Sequence, residues 1–257
     1  LIGLEEGRII DDAELKSNLA KAQPYQTWLN QTQIMLEDLP ADVAPMPPDH
    51  TTLLNRQQAF GYTTEDVRVL LAPMAEQGRW PIGSMGNDEA LACLSDRPRL
   101  LYHYFKQLFA QVTNPPIDPL RENIVMSLET CIGEERNLFE EGEDHAQRVV
   151  LDSPVLTEKL FKQILKLGDN NCEYKSYRIS LNYQPEIGLE KAIDNICAEA
   201  EDAVRNGSVV LVLSDRDISK ETLPVHALLA TGAVHQHLIK AGLRCDANII
   251  VETATAR

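Results

Sequence analysis

The sequence predicts an α/β fold, helix-rich in its first half and built from parallel βαβ units in its second. Three observations predict it. After Asn206-Gly207, Ser208 opens a strand whose residues 209–213 form a continuous apolar run up to Ser214-Asp215, the pattern of a strand buried on both faces. Just before it, Leu189, Ile193, Ile196, Cys197, Ala200 and Val204 trace one face of a helix. A further helical stretch over 224–241 closes at Gly242 and leads into the apolar run 247–251, so strands and helices alternate as parallel sheets require.

Taken in order, residues 12–36 read as helical, with Leu15, Leu19, Trp28 and Leu29 as apolar points and Pro24 interrupting. Four prolines within 40–49 remove any helical period and mark 40–50 as an extended linker. Residues 51–77 are helical again, with Thr63 or Thr64 able to cap the turn that follows. Over 100–112, Leu101, Tyr104, Phe105, Leu108 and Val112 recur at three- and four-residue steps, which predicts a core-facing aromatic helix. The acidic run 134–144 reads as a solvated, mobile loop. Tyr177 to Leu181 alternates like a strand, and no repeat of 20–50 residues is evident.

Composition narrows the function. A chain of 257 residues with 44% hydrophobic side chains buries a substantial core, and with aromatics at 5% that core is mainly aliphatic. A formal charge of −15 argues against nucleic acid and against an anionic membrane, both of which need Lys and Arg to neutralise phosphate. No apolar run reaches the roughly 18–20 residues that cross a bilayer, and no signal segment opens the sequence. Cysteines 93, 131, 172, 197 and 245 are odd in number and never within four positions of one another, which excludes close metal or redox pairs. Such a set suits a reducing cytoplasm, with most of the cysteines expected as small core residues.

Catalytic patterns are tested in turn. Ser214-Asp215-Arg216-Asp217 follows the apolar strand at its carboxyl end, where α/β folds place ligand sites. Asp215 there is either an acid/base group or, the reading preferred, a partner of its neighbours and a cap for the next helix. His235 and His237 face opposite sides of a helix, and His226 and His237 lie about 16 Å apart along its axis, so the histidines share no metal. GxGxxG, GxxxxGK[ST] and GxSxG motifs are absent. An independent α/β enzyme would have to rely on Asp215, His226 and Glu252 converging at strand ends.

The densest signal lies over 79–122. Gly83 and Gly86 bracket Ser84-Met85 in a tight loop, Asn87 and Asp88 occupy helix-cap positions, and Asn114-Pro115-Pro116-Ile117-Asp118-Pro119 fixes an extended turn. These residues, with the runs 81–99, 108–122, 150–156, 209–216 and 223–239, closely resemble the central domain of the large subunit of glutamate synthase. The resemblance is collinear over nearly the whole chain. It implies that 1–39 is the exit from an amidotransferase domain with connecting helices, 40–50 a linker, and 51–257 the central domain with its C-terminal part cut short. It further implies a rudimentary version of the flavin domain's (β/α) barrel.

Under this resemblance the chain itself holds no cofactor and is not catalytic. FMN and a 3Fe–4S cluster belong to the parent enzyme's synthase domain, and ammonia is released from glutamine by its amidotransferase domain. Those two domains of the same polypeptide are the implied partners, with an NADPH-oxidising small subunit as a further candidate. Gly83, Ser84, Met85, Gly86, Asn87, Asp88, Thr113, Asn114, Asp118, Arg121 and Glu122 are the candidates for the wall of the ammonia passage or for interdomain contacts. A purely structural adaptor without a passage is the remaining alternative.

Overall fold

A computed structural model describes residues 1–5, 7–40, 49–78, 81, 91–97, 99–105 and 118–256. The chain opens with an antiparallel ribbon of β1 (Ile2–Gly3) and β2 (Arg8–Ile9), followed by α1 (Asp12–Ala20), α2 (Tyr25–Thr32) and β3 (Ile34–Met35). Helix α3 (Leu53–Ala59) precedes a π-helical stretch, Asp66–Leu71, that runs into α4 (Ala72–Gln77). After α5 (Pro119–Val125) come β4 (Thr130–Ile132), β5 (Val149–Leu151) and α6 (Glu158–Asn170). The regular part follows: β6 (Ser176–Ser180), β7 (Asn182–Tyr183), α7 (Leu189–Arg205), β8 (Val210–Ser214), β9 (Leu223–Pro224), α8 (Ala227–Ala241) and β10 (Asn248–Glu252).

Strand β8 organises the core. It lies between β6 and β10, parallel to both, and Val210, Leu211, Val212 and Leu213 are all completely buried. Because side chains alternate along a strand, β8 feeds two apolar layers. Leu211 and Leu213 pack with Ile179, with Ile196 and Ala200 of α7, and with Ala230, Val234 and Leu238 of α8. Val210 and Val212 pack the other way, against Ile164 of α6, Tyr174, and Val149, Leu151 and Ile132 of a second sheet ordered β3-β5-β4. The parallel βαβ units expected from the sequence are therefore present, with both crossover helices in the same layer. No helix among the described residues is long and apolar enough to cross a membrane.

Several expectations are corrected. The helical reading of 12–36 stops at Thr32, because Ile34-Met35 pairs parallel with Val149-Val150 and Leu36 enters the core at 3% exposure. Pairing and burial there outweigh the local helical pattern. The described part of 100–112, Leu101–Phe105, is a 3-10 turn with Tyr104 and Phe105 exposed, and the remainder lies outside the described residues. Its contact residue is Tyr102, whose hydroxyl reaches Thr255 Oγ1 at 3.3 Å and whose ring meets His226 edge-on at 4.9 Å. The acidic run is largely exposed, as expected, and two surface contacts tie it: Arg136 pairs with Glu134 at 2.8 Å, and Tyr25 donates to Glu141 at 2.7 Å. Of the cysteines only Cys197, on the inner face of α7, is buried. Thr63 does cap as expected, its hydroxyl accepting from Asp66 N while its own N–H donates to the Asp66 carboxylate.

Gly168 shows how tightly α6 sits on the sheet. A Cβ at this position would stand 2.5 Å from the Tyr174 carbonyl oxygen and 3.1 Å from Ser176 N, both backbone atoms leading into β6. Gly168→Ala is expected to lower the melting temperature. The overpacking cost of about 1–3 kcal/mol outweighs the roughly 1 kcal/mol that alanine gains over glycine in a helix. Circular dichroism melting measures it, and an unchanged or higher midpoint would show that the 171–175 turn yields freely.

Candidate functional site

Of the residues expected at a passage wall or contact surface, Gly83, Ser84, Met85, Gly86, Asn87, Asp88, Thr113 and Asn114 lie outside the described residues. Asp118, Arg121 and Glu122 are described and sit together at the start of α5. Asp118 is the N-cap: its carboxylate accepts from the N–H groups of Leu120 and Arg121, both at 3.0 Å, and the Arg121 side chain closes on it at 3.1 Å. Pro119 occupies the first turn, where its missing N–H costs nothing. The short helix leaves Leu120 84% and Val125 59% exposed, so this end of the proline turn presents an apolar surface.

The second cluster forms at the carboxyl ends of the parallel strands. Register places Ser180 and Glu252 on either side of Ser214, and Arg178 lies two residues before the end of β6. The Arg178 guanidinium donates to Ser214 Oγ at 2.8 Å and to Glu252 Oε2 at 2.9 Å. Ser214 Oγ donates to the same Glu252 oxygen at 2.5 Å, and Arg216 Nε reaches Glu252 Oε1 at 2.7 Å. Glu252, at the end of β10, is thus held by a hydroxyl and two guanidinium groups drawn from β6 and from β8 and its end.

Asp215, 2% exposed, takes a different set of partners. The Thr253 hydroxyl donates to one of its carboxylate oxygens and Ala254 N to the other at 3.3 Å, while Asp215 N donates to Glu252 O at 3.1 Å. Thr255 joins through Thr253 Oγ1 at 2.9 Å. The segment after β10 is gripped from the other side by Tyr62, whose hydroxyl donates to Ala254 O at 2.6 Å. Burial raises the Asp215 carboxyl above the usual aspartate range, against the pull of Thr253 and Ala254.

Asp215 and Glu252 sit at adjoining strand ends, and His226 is joined to them through the Tyr102 ring and hydroxyl, Thr255 and Thr253. Burial lowers the His226 pKa, and its Nδ1 accepts from Leu228 N at 3.2 Å as the N-cap of α8. The expectation that Asp215 caps the next helix is corrected: residues 216–226, including β9, separate it from α8, and His226 takes the cap. Both oxygens of Asp215 and both of Glu252 already accept protein donors, whereas His226 Nε2 is buried with no hydrogen-bond partner. Among the described residues no group of three or more His, Cys, Asp or Glu side chains is placed to hold a metal.

Sequence reasoning located Asp215 and Glu252 but missed Arg178, Thr253, Tyr62 and Tyr102. Arg178 carried a signal, being a charged residue within an otherwise strand-like alternation. The tyrosines carried none. Between α3 and these strand ends lies a cavity of about 340 Å³, with Leu53, Arg56, Phe60 and Leu71 on one side and Asp215, Arg216, Glu252 and Thr253 on the other.

The chain matches the family model of the glutamate synthase central domain over residues 55–257. It is 41% identical to the NADH glutamate synthase of Schizosaccharomyces pombe over 100% of this chain and 13% of that protein. It is 45% identical to the chloroplastic ferredoxin-dependent glutamate synthase of Oryza sativa subsp. japonica over 98% of this chain and 16% of that protein. Against the NADPH glutamate synthase large chain of Bacillus subtilis the identity is 42%, over 100% of this chain and 16% of that one. The chain therefore spans only 13–16% of the length of these relatives.

Proposed function

The chain belongs to the glutamate synthase central domain family, and from that membership we propose that it is a non-catalytic joining piece of a longer glutamate synthase. In this reading it connects the glutaminase and FMN-binding synthase domains and helps to wall the ammonia passage, in a synthesis of glutamate from glutamine and 2-oxoglutarate. The observation that carries it is coverage: essentially the whole chain aligns at 41–45% identity with a seventh or so of much longer enzymes. Two features of the structure support it. The strand-end carboxylates accept from internal donors on every oxygen, which counts against Asp215 and Glu252 as the base of an independent enzyme. Large apolar side chains stand in solvent at Leu120, Leu128, Leu138 and Phe139, as expected of a body meant to be covered by neighbours.

The five cysteines do not make the donor set of a three-iron cluster, four of them being exposed on separate segments and the fifth buried in α7. FMN and the cluster are accordingly assigned to other domains of the parent, and a small NADPH-oxidising subunit remains a proposed partner. Three sequential parallel strands joined by helices in one layer repeat the elementary step of a (β/α) barrel, and we read the second half as a rudimentary form of one.

The isolated chain is expected to show neither glutaminase nor glutamate synthase activity. In the full-length enzyme, Thr113→Trp is the direct test of the passage. It is expected to leave glutaminase and ammonia-dependent synthesis largely intact while glutamine-dependent synthesis falls and ammonia escapes to solvent. The measurement compares glutamine consumed with glutamate formed. Tight coupling at normal rate would remove Thr113 from the wall, and a parallel fall in all activities would make the proline turn a structural lock only.

A further inference from the structure

The cavity between α3 and the ends of β8 and β10 holds one cationic group with unused capacity. Arg56 lines it, and its Nε is buried without a hydrogen-bond partner. The Arg56 Nη2 donates to the Asp49 carbonyl oxygen at 3.2 Å and lies 3.7 Å from the Asp49 carboxylate. That carboxylate is occupied by its own turn, accepting from Thr51 N, Thr52 N and the Thr52 hydroxyl. Across the cavity Glu252 and Asp215 are equally committed, to Ser214, Arg178 and Arg216 and to Thr253 and Ala254. An entering cation meets carboxylates that already have donors. An entering neutral molecule offers Arg56 Nε at most an uncharged acceptor. An anion satisfies it.

The chemistry of the walls narrows the anion. A guanidinium fork matches a planar carboxylate, and Leu53, Phe60 and Leu71 offer apolar surface beside it. The position, outside the carboxyl ends of parallel strands, is where open α/β sheets bind ligands, and about 340 Å³ suits a small molecule. We infer that this cavity binds a small organic carboxylate, its carboxylate on Arg56 and its apolar body against Leu53, Phe60 and Leu71. The ligand would bridge α3 and the strand ends, two regions already joined through Tyr62. This inference stands on the cavity and not on the joining role.

Isothermal titration calorimetry of the 257-residue chain with benzoate, and with benzamide as its neutral counterpart, tests it. Benzoate is expected to bind at least about tenfold more tightly than benzamide, the difference a charge-assisted hydrogen bond provides. Arg56→Gln is expected to lower benzoate affinity by about tenfold or more without changing that of benzamide. Inorganic phosphate at matched ionic strength is expected not to displace benzoate. On the wild-type chain, benzoate should shift the NMR signals of Leu53, Phe60 and Leu71, a readout that does not depend on the variant folding. Equal binding of the two probes, no binding of either, displacement by phosphate, shifts confined elsewhere, or unchanged benzoate affinity in a folded Arg56→Gln each overturn the inference.

Discussion

Val212→Asp is expected to abolish the cooperative unfolding of the chain, while Val251→Asp lowers the midpoint only modestly. Val212 is completely buried in the central strand, on the face shared with Val149, Leu151, Ile164 and Tyr174. An ionised carboxylate there is surrounded by an apolar layer, and the penalty of several kcal/mol adds to the lost packing. Domain stability is typically about 5–15 kcal/mol, so the total is comparable with all of it. Val251 is 38% exposed on the edge strand β10 and its charge remains hydrated. Urea titration followed by tryptophan fluorescence and circular dichroism distinguishes the two. A sharp transition retained in Val212→Asp would mean that the sheet β3-β5-β4 and the parallel sheet fold independently rather than through β8.

The parts of the fold that were legible are those whose pattern is local and repeated. Helix α7 buries Ile196, Cys197, Ala200 and Val204 on the predicted face, and β8 is the apolar run itself. The sheet β3-β5-β4 was not legible, because its strands are two or three residues long and its pairs, such as Ile34 with Val149, join distant parts of the chain. Short strands have no period to read; only the partner defines them. The strand-end cluster divides in the same way. Asp215 and Glu252 follow apolar runs and could be placed, whereas Tyr62 reaches Ala254 across 192 positions of sequence. The family, by contrast, was legible from residue identity alone, and much of the stretch that carries it, 82–90 and 106–117, lies outside the described residues.

Asp215 offers the sharpest test of whether the strand-end cluster is a lock or a reactive site. Asp215→Ala leaves the Thr253 hydroxyl and Ala254 N–H without their acceptor in a buried position. At about 1–3 kcal/mol for each unsatisfied group, a loss of about 2–6 kcal/mol is expected. Asp215→Asn keeps one acceptor oxygen and is expected to cost far less at neutral pH. The pH dependence has a definite sign. Burial raises the Asp215 pKa in the folded chain, so the folded state holds this proton more tightly than the unfolded state. Its stabilising contribution is therefore complete below the unfolded aspartate value, about 3.9, and is lost as pH rises through the higher folded value. The stability of wild type minus that of Asp215→Asn should accordingly shrink from acid toward neutral pH. A difference that grew with pH would show that Thr253 and Ala254 hold the carboxylate more strongly than burial opposes it. Hydrogen exchange adds a local reading: the Ala254 amide should lose protection in Asp215→Ala while amides in the middle of β8 keep theirs. If the 253–256 segment stayed fully protected and stability were unchanged, Asp215 would not be the lock, and its burial would need a functional explanation after all.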